Sequence, residues 1–138
     1  MKKIVLFFVF GLFISCKQSI SESDLQNLNG YWEIEKVELP DGEKKEYKVN
    51  ETIDYFKITS NKGFRKKVMP QLDGTYLTND IQDEIAIAYK DGAATIKYKT
   101  KYASWNEEII ELSKDKLVLK NKQDFEYHYK RPVKFSIK

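Results

Sequence analysis

The chain has 138 residues, enough for one small domain and too few for two. Its 24 Lys and Arg nearly balance 21 Asp and Glu, and Lys2 and Lys3 belong to an N-terminal signal, so the concentrated basic face of a nucleic-acid binder is not expected. A single cysteine excludes an internal disulfide, which leaves stability to the core, and nine Tyr with eight Phe suit a strand-rich domain.

Met1-Lys2-Lys3 is a positive start, followed by an apolar run from Ile4 to Ile14. At about 11 residues the run is too short for the roughly 20 that span a bilayer as a helix. It reads as the core of a cleavable signal covering residues 1–15. Phe13-Ile14-Ser15-Cys16 resembles the lipobox of a bacterial lipoprotein signal. That resemblance implies a diacylglyceryl group on the Cys16 thiol, cleavage before it, and a further chain such as palmitate on the new amine. Two or three chains anchor stably, whereas one is marginal. The membrane is then a partner through acyl chains on Cys16. Lys17 in place of an Asp after the cysteine implies the outer membrane of the cell envelope.

Residues 16–27 are polar and Ser-rich and read as a lipidated tether, with a helical turn near Asp24 to Leu28 that puts Leu25 and Leu28 on one face. Residues 28–138 form the domain. Turn signals at Asp41-Gly42, Asn61-Lys62-Gly63, Asp73-Gly74, Asp91-Gly92, Ser113 to Asp115 and Asn121 to Asp124 divide it into short strands with no sustained helical period. In the first strand Trp32 and Ile34 share one parity and Val37 and Leu39 the other, which predicts a bulge near Glu35-Lys36. Further on, one face collects Ile85, Ile87 and Tyr89. The next strand collects Ala94, Ile96, Tyr98, Thr100 and Tyr102, with Lys97, Lys99 and Lys101 opposite. Ile110 pairs with Leu112, Leu117 with Leu119, and Phe125 with Tyr127 and Tyr129. The expected fold is all-β: an antiparallel up-and-down meander of eight or nine strands, closed as a barrel because early curvature and closure remove exposed edges.

Gly30-Tyr31-Trp32 opens the first strand, and the last ends Tyr129-Lys130-Arg131 with Arg131 on the apolar parity. An inward guanidinium at a barrel end suits an indole face and backbone carbonyls. This arrangement resembles the lipocalin and calycin families, and in particular the small lipocalin-like lipoproteins of Bacteroidetes. The resemblance implies that Gly30 permits the tight start of the strand, Trp32 floors the barrel and Arg131 caps it. Pro132 to Lys138 reads as an extended tail where a typical lipocalin carries a helix.

Catalytic chemistry is not expected. His128, the single histidine, shares parity with Glu126 and Lys130 and should face solvent, and no metal site or cofactor is expected. Glu107 and Glu108 face opposite sides of a strand and read as solvated, as do Arg65-Lys66-Lys67 and the Lys97 row. Asn50-Glu51-Thr52 matches a glycosylation sequon that has no force in a bacterial lipoprotein. Two functions follow. The first is a lipid-anchored barrel holding a small apolar or amphipathic ligand, lined by Ile85, Ile87, Tyr89, Ile96, Tyr98, Ile110, Leu112, Leu117, Phe125 and Tyr127. The alternative is a filled barrel that presents the segments Pro40 to Thr52 and Met69 to Asp83 to another envelope protein.

Overall fold

A computed structural model describes residues 18–133. Cys16 and the signal lie outside the described residues. A short 3-10 helix, Ser23–Leu28, precedes ten strands: β1 (Gly30–Glu38), β2 (Lys44–Glu46), β3 (Ile53–Thr59), β4 (Lys62–Pro70), β5 (Tyr76–Leu77), β6 (Asp83–Lys90), β7 (Ala93–Lys99), β8 (Ser104–Leu112), β9 (Lys116–Lys120) and β10 (Glu126–Lys130). Eight of them close an antiparallel barrel in the order β1-β3-β4-β6-β7-β8-β9-β10, with β10 pairing back to β1. The remaining two are short additions, β2 beside β1 and β5 beside β4.

The alternation of the strands builds the interior. Inward positions run Trp32 and Ile34 on β1, Phe56 and Ile58 on β3, Ile85 and Ile87 on β6, and Ala94 and Ile96 on β7. Ile109, Leu112, Leu117, Leu119 and Tyr129 complete the wall. Leu25 and Leu28 of the 3-10 helix close one end, both at most 2% exposed. Burying a large apolar side chain to this degree contributes about 1.5–3 kcal/mol, and these residues form one contiguous cluster. Between β6 and β7, Asp91 and Gly92 both take positive φ (51° and 80°), the two-residue turn whose twist matches a right-handed hairpin. On β4, Gly63 faces the β3 backbone so closely that a Cβ would stand 1.8 Å from the Lys57 carbonyl oxygen.

The expected bulge is present in β1, between Ile34 and Lys36. It lets both Trp32 and Val37 point inward despite opposite parity. A second bulge, in β8 between Ile109 and Glu111, has no counterpart in the sequence pattern. It places Ile109 inside with Leu112 and turns Ile110 outward, so Ile110 does not line the interior. The alternation from Ala94 stops at Lys99, because Thr100 to Ala103 form a turn held by the Thr100 hydroxyl and backbone. Tyr102 is therefore exposed. The turn expected at Asn61 to Gly63 sits slightly earlier, since Lys62 and Gly63 already belong to β4.

The segment read as a tether is packed from Gln18 onward. Gln18 makes three hydrogen bonds to the end of β8: its amide to the Ile110 carbonyl (2.9 Å), its side-chain NH2 to the Leu112 carbonyl (3.1 Å), and its side-chain oxygen from the Leu112 amide (2.9 Å). Ile20 is buried and its amide bonds the Gly92 carbonyl. The residues in front of the 3-10 helix are thus part of the closed end.

Candidate functional site

The two ends of the barrel are built differently. At the closed end the Arg131 guanidinium lies 3.6 Å from the centroid of the Trp32 ring. Its nitrogens donate to the carbonyls of Lys114 (2.9 Å), Tyr31 (3.0 Å) and Asn27 (2.8 Å), which ties β10 to the β8–β9 turn, β1 and the 3-10 helix. Burial lowers the Arg131 pKa from its ordinary value. Trp32 donates its indole N–H to the Leu28 carbonyl at 2.9 Å. Gly30 makes the approach possible. Its φ of +113° suits a residue without a Cβ, and a Cβ there would stand 3.1 Å from Arg131 Nη1.

The other end is a mouth surrounded by the long loops 39–52 and 70–82 and the turns at 100–103 and 121–125. Just inside it, the inward positions become polar. Arg65 on β4 is inward, because its partners in register are Phe56 and Asp83. Its Nε and Nη2 donate to Asp83 Oδ2 at 2.9 and 2.6 Å. Its guanidinium lies 4.5 Å from the Tyr98 ring centroid, and Tyr98 stacks on Trp105 at 5.1 Å. Burial alone would lower the Arg65 pKa, but Tyr98, Asp54 and Asp83 outweigh it and hold the group charged. Asp54, 3% exposed, meets Lys67 Nζ at 2.6 Å. The Tyr98 hydroxyl donates to Glu107 Oε1 at 2.6 Å.

Two expectations are overturned here. Arg65 is not part of a solvated basic run, since alternation separates it from Lys66. Glu107 is not solvated either: it faces inward and is 9% exposed. Burial, only partly offset by the Tyr98 hydrogen bond and by Arg65, pushes the Glu107 carboxyl above its ordinary range. The Tyr98 phenol is pushed well above its own, chiefly by burial and then by Glu107, so it remains a donor. A carboxyl that holds its proton to higher pH when folded makes the protein lose stability as pH rises from the unfolded carboxyl range through the raised folded value. Glu107→Gln keeps an acceptor for Tyr98 and removes that loss. Its stability relative to wild type is expected to rise across this window and level off above it, as urea midpoints from about pH 4 to about pH 8 would record.

Above Trp32 the mouth opens into a pocket of about 240 Å³, lined by Trp32, Ile34, Val37, Tyr47, Thr52, Ile53, Asp54, Lys67, Tyr127 and Tyr129. A wider recess of about 850 Å³ opens between β8 and the turn at 121–124, and Tyr127 borders both spaces. Of the residues expected to line a ligand site, only Tyr127 borders the cavity. Ile85, Ile87, Ile96, Leu112 and Leu117 fill the lower barrel, Tyr89 packs against that core, and Tyr98 belongs to the charged network. Phe125 stands half-buried before β10 and outside the core cluster. Besides Trp32, the lining residues that sequence reasoning missed are Ile34, Val37, Tyr47, Thr52, Ile53, Asp54, Lys67 and Tyr129. Asp54 had a readable signal, since it alternates with Phe56 and Ile58 on one strand face.

Residues 28–119 match the family model described as a lipocalin-like domain. Among solved structures the chain is similar to a lipocalin-like protein from Bacteroides uniformis ATCC 8492, with 13% identity and a TM-score of 0.48 over 77% of this chain and 99% of that one. It is also similar to an uncharacterized protein from Bacteroides eggerthii DSM 20697, with 13% identity and a TM-score of 0.47 over 75% of this chain and 98% of the other. No protein of curated function matches it. With the family match running from Leu28 through Leu119 and eight strands closed into one antiparallel barrel, the chain belongs to the lipocalin-like domain family.

Proposed function

We propose that this protein is a lipid-anchored envelope module that holds a small amphipathic molecule in the mouth of its barrel. The lipocalin-like fold is typically a binding fold rather than a catalytic one. The observation that carries the reading is the pocket above Trp32, about 240 Å³ with aromatic walls and a buried Asp54 carboxylate paired with the solvent-exposed Lys67. Tyr127, Tyr129, Ile34 and Val37 offer an apolar surface, and the Asp54–Lys67 pair with Tyr47 offers polar contacts. The mouth sets Arg65 and Lys67 against Asp54, Asp83 and a Glu107 whose burial favours the protonated form. This near balance favours a neutral or zwitterionic polar end on the ligand over a strongly charged one.

The anchor sets the orientation in this reading. Lys17 alone separates Cys16 from Gln18, which is bonded to the closed end. At about 3.3–3.6 Å per residue, acyl chains on Cys16 would hold the closed end at the outer membrane and turn the mouth away from it. A second reading, recognition of another envelope protein, is favoured by exposed apolar side chains on the mouth loops: Val49, Leu72, Leu77 and Ile81.

The full chain, purified from its own envelope, is expected to carry one equivalent of an extractable small molecule detectable by mass spectrometry. Ile34→Trp, which fills the cavity, is expected to lower that occupancy by at least about tenfold while circular dichroism stays unchanged. Wild-type protein free of any such molecule, together with specific cross-links from positions 49 and 81 to a second protein, would favour the interaction reading instead.

A further inference from the structure

We infer that the outer wall of the barrel carries a divalent transition-metal site, with zinc as the best-suited ion, formed by Glu38 of β1 with Glu126 and His128 of β10. The three side chains converge because β1 and β10 close the barrel, placing Glu38 opposite Glu126 and Lys36 opposite His128. His128 was expected to face solvent. It does point outward, yet it is only 9% exposed, and neither ring nitrogen makes a hydrogen bond among the described residues.

The geometry suits a metal better than a proton. Nε2 of His128 lies 3.3 Å from Glu38 Oε2 and 3.3 Å from Glu126 Oε1, and one ligand atom from each residue lies within 4.8 Å of the others. Zinc bonds of about 2.0–2.2 Å in tetrahedral geometry separate neighbouring ligand atoms by about 3.3 Å. Neither oxygen is aligned for a hydrogen bond from the ring, which is what ligands arranged around a shared ion, off the ring axis, would show. One imidazole with two carboxylates is a borderline donor set of the kind zinc accepts. An open recess of about 310 Å³ beside Glu38 and Glu126 leaves room for water as the fourth ligand.

Lys36 is the competitor. Its Nζ lies 3.3 Å from the same Glu38 oxygen; desolvation alone would raise the Glu38 carboxyl, but the Lys36 hydrogen bond, with His128 and Lys44, holds it below its ordinary range. Lys120 stands opposite Glu126 in register on β9. The Lys36–Glu38 pair is solvent-accessible, and such pairs exchange readily for a stronger ligand interaction.

Titration of the full chain, in detergent and freed of any affinity tag, with zinc chloride in chelator-treated buffer would test the site. One zinc per chain should bind saturably, and cobalt in its place should give the visible absorption of a tetrahedral centre. His128→Gln and Glu126→Gln should each weaken binding at least about tenfold, whereas Lys36→Gln should tighten it. No saturable zinc or cobalt binding by the wild type would overturn the inference. Binding unchanged in His128→Gln would overturn it equally. Should His128→Gln fold poorly by circular dichroism, the opposite shifts expected of Lys36→Gln and Glu126→Gln decide the matter.

Discussion

Alanine in place of Trp32 is expected to cost about 3–5 kcal/mol of folding stability, the loss typical of a fully buried indole. Trp32 is 0% exposed at the junction of β1, the 3-10 helix and Arg131. Removing it opens a void at the floor, leaves the Leu28 carbonyl without its indole donor, and strips the guanidinium of its ring. For a domain whose total stability lies in the ordinary range of about 5–15 kcal/mol, that is a large fraction. Arg131→Ala is expected to cost about 2–3 kcal/mol, because the carbonyls of Asn27, Tyr31 and Lys114 lose their donors. The two residues should not be independent. A double-mutant cycle read by urea unfolding is expected to give a coupling of about 0.5–2 kcal/mol, the worth of a guanidinium on a desolvated ring. Additive single losses would show that Arg131 holds the carbonyls and contributes nothing through the indole.

Arg65→Ala is the second large effect, about 3 kcal/mol. The side chain is 14% exposed and its Asp83 partner 21%, so the pair sits between a surface bridge and a buried one. Losing the cation strands Asp83, removes the positive field acting on Glu107, and takes away the plate that covers Tyr98. Removing one member of a buried pair costs more than the pair contributes net, because the remaining charge is left unpaired. The double replacement Arg65→Met with Asp83→Leu should therefore recover most of the loss. Chemical denaturation of the three proteins would check this, and a double variant as unstable as Arg65→Ala would place the cost in the lost Tyr98 and Trp105 contacts instead.

The closed end was largely legible in the sequence. Parity turns Arg131 inward, the resemblance to lipocalins implies that it covers Trp32 beside Gly30, and the structure places them in contact. The β1 bulge was legible because apolar residues changed parity within one short strand. The β8 bulge was not, since Ile109 and Ile110 are adjacent and equally apolar, and either can satisfy the core. The mouth was hardest to read. Arg65 and Glu107 have the composition of surface residues, and their inward direction depends on register with Phe56, Asp83 and Ile96 on neighbouring strands. Charges inside a barrel contradict the usual pattern unless their partners are known, and those partners, Asp83, Lys67 and Tyr98, lie on neighbouring strands.

By itself the sequence determined what depends on local chemistry: period-two alternation, turn residues, a first-strand bulge, and a lone cysteine after a short apolar run. These follow from steric and hydrophobic rules that act within a few residues. Tertiary structure alone decided which inward positions are filled and which leave a cavity above Trp32, and which charges are sheltered by one another. It also decided that Gln18 belongs to the closed end and that His128 meets two carboxylates on the outer wall. Each of these depends on closing β10 against β1 and on registers between distant strands, and such pairings are not encoded in the spacing of any one segment.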